Sequence, residues 1–345
     1  MNKERIKGFI LGVLVTAMIF ASVIIAAANS ETFTKQITYG INVMVNGEQA
    51  EFAEDMRPFV MDNRTFLPLR GIGELLGLPV DYDPETHTAI VGEMPEEEEI
   101  PATITIKGVE YSTDLTELEL WNKGLTNEDI EPLKYMTNLT SLILGGNEIS
   151  DISALSGVIN LTELHIHNNQ ISDISILSNL TNLTTLSIHN NSIRDINVLN
   201  SLINLTILNV SCNDININVL SDLTNLFALT LMGDGLSDIS ALSSLINLKV
   251  LSIHYSEVSD ISVLSNLTDL MALELSNNLI SDINVLSDLT DLRVLGLSCN
   301  EISDISALSG LINLGYLFLR DNPLTEEQIA EIQAALPECE IYFED

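Results

Sequence analysis

From Leu118 onward, apolar and polar positions recur with one long period. A pair of leucine-like residues separated by one position, as in Leu142-Ile143-Leu144, is followed by Asn147 and then by Ile149-Ser150-Asp151-Ile152-Ser153-Ala154-Leu155. An Asn-Leu or Asp-Leu pair precedes each such strand, at Asn138, Asn160, Asn182, Asn204, Asn225, Asn247, Asp269, Asp291 and Asn313. Every step is 22 residues except one of 21, between Asn204 and Asn225, where Ile215-Asn216-Ile217-Asn218 replaces the usual Ile-Ser-Asp-Ile-Ser. Alternation puts both leucines on one face of a short strand. No unit can bury that face alone, so the pattern predicts coils that stack on their neighbours and grow in one dimension.

The polar positions of the repeat predict its turns. The Asn after each strand turns inward, where its amide satisfies backbone groups that the bend leaves unpaired. This ladder reads Asn147, Asn169, Asn191, Asn213, Asp234, Ser256, Asn278, Asn300, Asn322, and is broken by Asp234 and Ser256 just after the short unit. Local weakness or altered curvature is expected there. The repeated Asp at 151, 173, 195, 238, 260, 282 and 304 predicts a polar cap for a short helical turn on the convex side. A calcium row is disfavoured, because successive carboxylates about 5 Å apart do not form an oxygen cage.

With these motifs in place, the region from about Leu118 to the C-terminus resembles the internalin class of leucine-rich-repeat proteins of bacterial surfaces. The resemblance implies an α/β-type leucine-rich-repeat solenoid, with short parallel strands on the concave face and 3-10 or short helical turns on the convex face. It also implies a non-catalytic module whose partner is another protein, a host surface receptor among them. Residues 103–136 are expected to form an N-terminal cap with Lys123 at the Asn place, 137–322 the repeats, and 323–345 a C-terminal cap. In the last, Thr325 starts a helix through Leu336, followed by a strand at Glu340-Ile341-Tyr342-Phe343. No sorting signal, transmembrane tail or wall-binding module is expected after the cap.

Ahead of the repeats, residues 36–93 alternate on the short period of strands. Ile41, Val43 and Val45 precede the turn Asn46-Gly47, Pro58-Phe59-Val60 and Thr65-Phe66-Leu67 flank another, and Leu69 to Leu76 has helical spacing that stops at Gly77. Val80, Tyr82, Thr88, Ile90 and Val91 predict a closing hairpin, the whole forming a small α+β domain. Val45-Asn46-Gly47, Arg64-Thr65-Phe66-Leu67-Pro68-Leu69-Arg70 and Val80-Asp81-Tyr82-Asp83 resemble the copper amine oxidase N-terminal-like domain of bacterial exported proteins. That resemblance implies a non-catalytic stalk or wall-contacting unit. His87 is its sole histidine, too few for a copper centre. Residues 94–102, with four successive glutamates, read as an acidic linker.

The first 28 residues are a targeting segment: Lys3, Arg5 and Lys7, an uncharged run from Gly8 to Ala28, and small residues at Ala26-Ala27-Ala28. They read either as a cleaved signal peptide or as an N-terminal membrane anchor, since the run is also long enough to span a bilayer. Either reading places the rest of the chain outside the cytoplasm.

Charge then narrows the partners. Of 345 residues, 49 are Asp or Glu and 14 Lys or Arg, a formal net charge of −35, which excludes nucleic acid and favours a partner with a basic patch. Three cysteines make no disulfide scaffold, and Cys212, Cys299 and Cys339 are expected to be buried small apolar residues. No G-x-S-x-G, H-E-x-x-H, C-x-x-C or phosphate-binding glycine loop is present, so neither catalytic residues nor a cofactor are expected. An unrecognised enzymatic site would have to use Asp81, Asp83, Glu85 and His87.

The outward strand positions are the candidate protein-binding face: Glu119, Trp121, His165, His167, Ser187, His189, Asn209, Ser211, Thr230, Met232, Ser252, His254, Tyr255, Glu274, Ser276, Gly296, Ser298, Phe318 and Arg320. His165, His167 and His189 fall in adjacent units and are the one candidate transition-metal cluster. Without a third or fourth convergent ligand they read as a polar, pH-responsive face.

Overall fold

A computed structural model describes residues 100–211, 216–233 and 235–343 in full, together with the backbone of seven short strands between Thr38 and Val91. The chain divides into two compact units, Met1–Glu98 and Glu99–Asp345. In the first, β1 (Thr38–Tyr39), β4 (Phe59–Met61) and β5 (Arg64–Phe66) form an antiparallel sheet, while β2 (Met44–Val45) pairs with β3 (Glu48–Gln49). The expected closing hairpin is β6 (Val80–Asp83) paired with β7 (Thr88–Val91). The helix expected over residues 69–76, His87 and the leader lie outside the described residues.

The second unit is the expected solenoid. Eleven parallel strands follow in sequence order, β10 (Glu117–Glu119), β11 (Ser141–Ile143), β12 (Glu163–His165), β13 (Thr185–Ser187), β14 (Ile207–Ser211), β15 (Ala228–Met232), β16 (Val250–His254), β17 (Ala272–Glu274), β18 (Val294–Gly296), β19 (Tyr316–Phe318) and β20 (Glu340–Tyr342). The register is constant: Leu142 pairs with Leu164, Leu164 with Leu186, and so on, so the leucines of successive coils lie in line. Both leucine-like residues of each strand from β10 to β19, and the isoleucine and leucine of each Ser-Asp-Ile-Ser-x-Leu segment, are almost fully buried in one continuous aliphatic core, against which Ile341 of β20 packs.

Turns on the opposite side are 3-10 segments such as Ser153–Gly157 and Ser175–Asn179. Strands set the spacing on one side at about 4.8 Å per coil, and the bulkier turns oppose them, so the strand face is the concave one. Each repeated Asp caps its turn as expected: Asp151, Asp173 and Asp304 accept the backbone N–H two residues on, at 2.8–2.9 Å. In Asp173, Asp238, Asp260 and Asp304 this hydrogen bond holds the carboxyl below its ordinary pKa.

The inner Asn ladder ties each coil to the one before. Asn300 Oδ1 accepts Ile280 N at 3.0 Å, and its Nδ2 donates to Leu275 O at 3.0 Å, Leu297 O at 3.0 Å and Ser298 O at 3.2 Å. Asn147, Asn169, Asn191, Asn278 and Asn322 repeat the arrangement, and Asn147 reaches Lys123 N and Leu125 N of the cap. Asn213 and Asp234 lie outside the described residues. Ser256 is buried, but its hydroxyl donates only to His254 O in its own turn, at 3.3 Å. Leu236 N, which an asparagine at 256 would engage, instead makes a long 3.4 Å bond to Gly233 O. Beside this break β14, β15 and β16 run to five residues rather than three.

A second, exposed ladder runs where each coil enters its strand: Asn160 Nδ2 donates to Thr137 O at 2.9 Å, and Asn182, Asn204, Asn225, Asn247 and Asn313 do likewise. Asp269 has no amide to give and instead accepts Lys249 Nζ at 2.6 Å.

Both ends are closed. The hairpin β8 (Thr103–Ile106) and β9 (Val109–Ser112) buries Ile104 and Ile106 against the first coil, and α1 (Asn127–Ile130) adds Ile130. At the far end, α2 (Glu326–Ala335) starts at Thr325, whose N–H donates to Gln328 Oε1 at 2.9 Å. Ile332, Leu336 and Cys339 then cover the core.

Candidate functional site

Period-2 alternation gives each strand three outward positions, so the concave face has three rows. The middle row runs Glu119, Ile143, His165, Ser187, Asn209, Thr230, Ser252, Glu274, Gly296, Phe318 and Tyr342, all in register. The third row, two residues further along each strand, includes Trp121, Gly145, His167, His189, Ser211, Met232, His254 and Arg320. The first row lies outside the positions between and after the leucines that the sequence pattern marks as outward. The missed signal is the residue just before the first leucine. It reads Glu117, Ser141, Glu163 and Thr185 in the first strands, then Ile207, Ala228, Val250, Ala272, Val294 and Tyr316 without a polar interruption, and closes on Glu340.

In the N-terminal half the three histidines meet as the spacing predicts. The rings of His167 and His189 are stacked, with centroids 4.7 Å apart and planes 7° from parallel, and His165 lies edge-on to His167 at 6.2 Å. Gly145 makes this possible: a Cβ there would come within 2.6 Å of the His167 ring. Ser187, assigned to the open face, is instead buried under the rings, its Oγ 3.0 Å from His189 Nδ1 and 3.5 Å from His167 Nδ1. Burial first, then the charge of His165, lowers the pKa of His167. Burial, then His167 and His165, lowers that of His189. His165 Nε2 lies 2.8 Å from Glu163 Oε1, a contact that lowers the Glu163 pKa. Parallel rings aim their nitrogen lone pairs side by side rather than at one point. Among the described residues no three His, Cys, Asp or Glu side chains could hold a metal ion.

The C-terminal half has a different chemistry. Glu274 folds its carboxylate down over Gly296, into the space a side chain there would occupy, and Oε1 accepts Ser276 N at 2.8 Å. Phe318 stacks on Tyr342 at 4.8 Å between centroids. Together with Ser276, Ser298 and Arg320 they line an open hollow of about 370 Å³. Trp121 is 54% exposed and leans over Gly146, at the N-terminal end of the face.

Besides Ser187, two expectations need correction. Tyr255 is not on the sheet: it occupies the turn position filled elsewhere by Asn168, Asn190, Asn277 and Asp321, with φ of 53°. It stands 64% exposed at the rim, its ring 5.8 Å from that of His254. A bulky residue in the left-handed region is uncommon, and such outliers are often kept for a role outside the fold. Cys299 holds the same turn position with φ of 56° and is half-buried rather than buried, its thiol donating to Asp321 Oδ2 at 3.5 Å. Burial, then Asp321, raises its pKa. Cys339 is buried as expected, and Cys212 lies outside the described residues.

The comparisons with known proteins agree with this architecture. The family described as "Leucine rich repeat" matches residues 113–171, and "Leucine Rich repeats (2 copies)" matches 159–201 and 270–310. "Copper amine oxidase N-terminal domain" matches residues 44–122, reaching past the unit boundary through the capping hairpin and the first strand of the solenoid. None of the curated proteins matches the chain. Among solved structures, the functional domain of InlJ from Listeria monocytogenes is 22% identical, with a TM-score of 0.56, covering 68% of this chain and 55% of that one. The Arabidopsis receptor kinase HAESA, solved with the peptide hormone IDA and the co-receptor SERK1, is also 22% identical, with a TM-score of 0.55, covering 61% and 39%. These two share the fold. An internalin (inlF) from Listeria monocytogenes is 30% identical over 69% of this chain and 86% of its own length, with a TM-score of 0.52. No catalytic family is indicated, and no helix among the described residues is long and apolar enough to cross a membrane. Repeat length, inner Asn ladder, 3-10 convex turns and this likeness converge: the chain belongs to the internalin family of leucine-rich-repeat proteins.

Proposed function

We propose that this is an exported, non-catalytic adhesin-like protein that holds a protein partner on the concave face at the bacterial surface. One observation carries the reading. The two inward residues of every strand stay leucine-like, whereas the three outward rows change identity from strand to strand. Packing demands the first; nothing in the fold demands the second. Exposed Trp121 and Tyr255 at the rim, with Phe318 and Arg320 at the far end, are residue types that anchor protein interfaces. The remaining face residues assigned to binding are Glu119, His165, His167, His189, His254 and Glu274.

In this reading residues 1–28 direct export, 36–93 form the stalk, 94–102 the spacer, and 103–345 the capped array. The test is capture of a partner by the full chain on intact cells, followed by joint replacement of Trp121, His167 and Tyr255 with alanine. Capture should be lost at an unchanged thermal midpoint; retained capture refutes the concave-face assignment. The family match over residues 44–122 favours one second reading, a wall-contacting N-terminal domain with the repeats as spacer. Cell-wall pelleting of the full chain, compared with a chain lacking residues 36–93, separates the two.

A further inference from the structure

The first outward row is polar in the N-terminal strands and then apolar over six consecutive strands, from Ile207 to Tyr316. All six side chains are partly or fully exposed, and Ile207 and Tyr316 at the ends are 36% and 45% accessible. Beside the stripe, along the rim where each coil enters its strand, come Phe227, Lys249, Met271 and Arg293, alternately apolar and basic. The repeat unit holds seven basic residues in all: Lys107, Lys123, Lys134, Arg194, Lys249, Arg293 and Arg320. Three of these border this half of the face. Arg293 has no carboxylate partner among the described residues, and Lys249 has Asp269. On the other side of the stripe stand the neutral Asn209, Thr230 and Ser252, then Glu274 folded over Gly296, and at its end the hollow walled by Glu274, Phe318, Arg320 and Tyr342.

We propose that this half of the concave face takes an amphipathic α-helix of a partner protein, laid along the stripe with an acidic flank toward Lys249 and Arg293. The inference rests on the concave-face reading above and names the element that enters it. Two physical arguments select a helix. The first is register. Strands are about 4.8 Å apart, so six positions span about 24 Å. A helix presents one face every 5.4 Å or so and drifts by about 0.6 Å per strand, so about 16 residues cover the stripe. An extended chain presents one face every 6.8 Å or so and drifts by about 2 Å per strand, out of step after two. The second is backbone chemistry. The peptide groups of the sheet are already paired within it, so a segment lying across its face finds no backbone partners, and apolar side chains supply none. A helix brings its own.

Charge completes the match. Among the described residues Arg293 is the unpaired cation of this rim, and Lys249, which a helix carboxylate would share with Asp269, stands two strands away, about 9.6 Å. Acids seven residues apart on a helix are separated by about 10.5 Å. The hollow beside Phe318 and Tyr342 has room for one large apolar side chain at the helix end.

The test uses the full-length protein and a fluorescein-labelled 18-residue peptide with leucines on one helical stripe and glutamates on one flank. Its controls are the same peptide with two central prolines, and one with lysines replacing the glutamates. Saturable binding is expected, with NMR shifts centred on the Val250, Met271 and Val294 methyl groups, weakened at least tenfold by the prolines and by Val250→Asp. Arg293→Glu, at an exposed position that leaves the core intact, should weaken the glutamate peptide and strengthen the lysine one. Equal binding of the proline control, no binding up to 1 mM peptide, or indifference to Arg293→Glu would overturn the inference. A natural partner that still binds Val250→Asp but is lost on substitution elsewhere on the concave face would overturn the helix while sparing the general reading. A partner indifferent to every concave substitution would overturn both.

Discussion

Replacing Ser256 with asparagine should stabilise the array, because it restores the one described rung of the inner ladder that is missing. At present Ser256 is buried and bonds only within its own turn, and Leu236 N is left with a 3.4 Å bond to Gly233 O. By analogy with Asn278, one unit on, the new Oδ1 would accept Leu236 N and the new Nδ2 would donate to Leu231 O and Ile253 O. Two added hydrogen bonds across the coil boundary are worth about 0.5–1.5 kcal/mol each. Ordering the longer side chain takes back under about 1 kcal/mol. The net is about 1–2 kcal/mol, or about 2–6 °C in Tm for a unit of this size. The reciprocal change, Asn300→Ser, orphans the buried N–H of Ile280 and should cost about 2–4 kcal/mol. The assay is thermal unfolding combined with amide hydrogen exchange read at Leu236. If Ser256→Asn leaves Leu236 exchange unchanged, or lowers the midpoint, the ladder is not what couples the coils.

Other perturbations probe other layers. Leu208→Ala, in the fully buried core, should cost about 2–5 kcal/mol by denaturant unfolding, and a loss under 1 kcal/mol would contradict close packing between coils. Gly145→Ala drives a methyl into the His167 ring, so the stack with His189 should open and both pKa values rise toward the ordinary histidine value in an NMR titration. Since those values are depressed in the fold, the unfolded chain takes up protons first as pH falls. Stability should therefore be level above about pH 6.5 and decline below it, and replacing both histidines with asparagine should flatten that decline. Tyr255→Asn relieves a left-handed conformation and should stabilise by about 1 kcal/mol in thermal unfolding, while weakening partner capture.

Much of the repeat unit was legible because packing repeats. A leucine pair every 22 residues has one way to be buried, and the described ladder asparagines, Asn147, Asn169, Asn191, Asn278, Asn300 and Asn322, and the capping aspartates from Asp151 to Asp304 do what their positions demand. That His167 and His189 are neighbours followed from strand spacing, whereas their stacking depends on the room left by Gly145. What escaped was set by contacts rather than by period. Ser187 looked outward by alternation yet lies beneath two imidazoles, because their rings fold over it. Tyr255 was read as a strand residue because it follows His254, but the chain turns left-handed there, which only the comparison with Asn168 and Asn277 in the same place reveals. The apolar first row went unread because Ala228 or Val250 beside a leucine looks like core; parity, not hydrophobicity, shows that it faces out.

Net charge illustrates the same division. The excess of 49 acidic over 14 basic residues suggested a basic partner, as if the charge were spread evenly. It is not. Asp151, Asp173, Asp238, Asp260 and Asp304 sit on the convex turns, where each carboxylate is held by a backbone N–H, and the concave rows from Ile207 to Tyr316 carry Glu274 as their single acid. Other acids on the concave face lie toward its two ends, Glu117, Glu119 and Glu163 in the first strands beside the histidines and Glu340 on the last strand. A convex surface that is mostly acidic, with Lys134 and Arg194 as its exceptions, keeps copies apart through long-range repulsion. Short-range recognition is governed by what lies within about 10 Å of the contact, the screening length at 0.1 M salt. The repeat therefore separates the two demands geometrically: the Asp that caps every turn concentrates negative charge on the back of the molecule, which leaves the front free to carry acids and histidines in its first strands and an apolar row bordered by Lys249 and Arg293 further along.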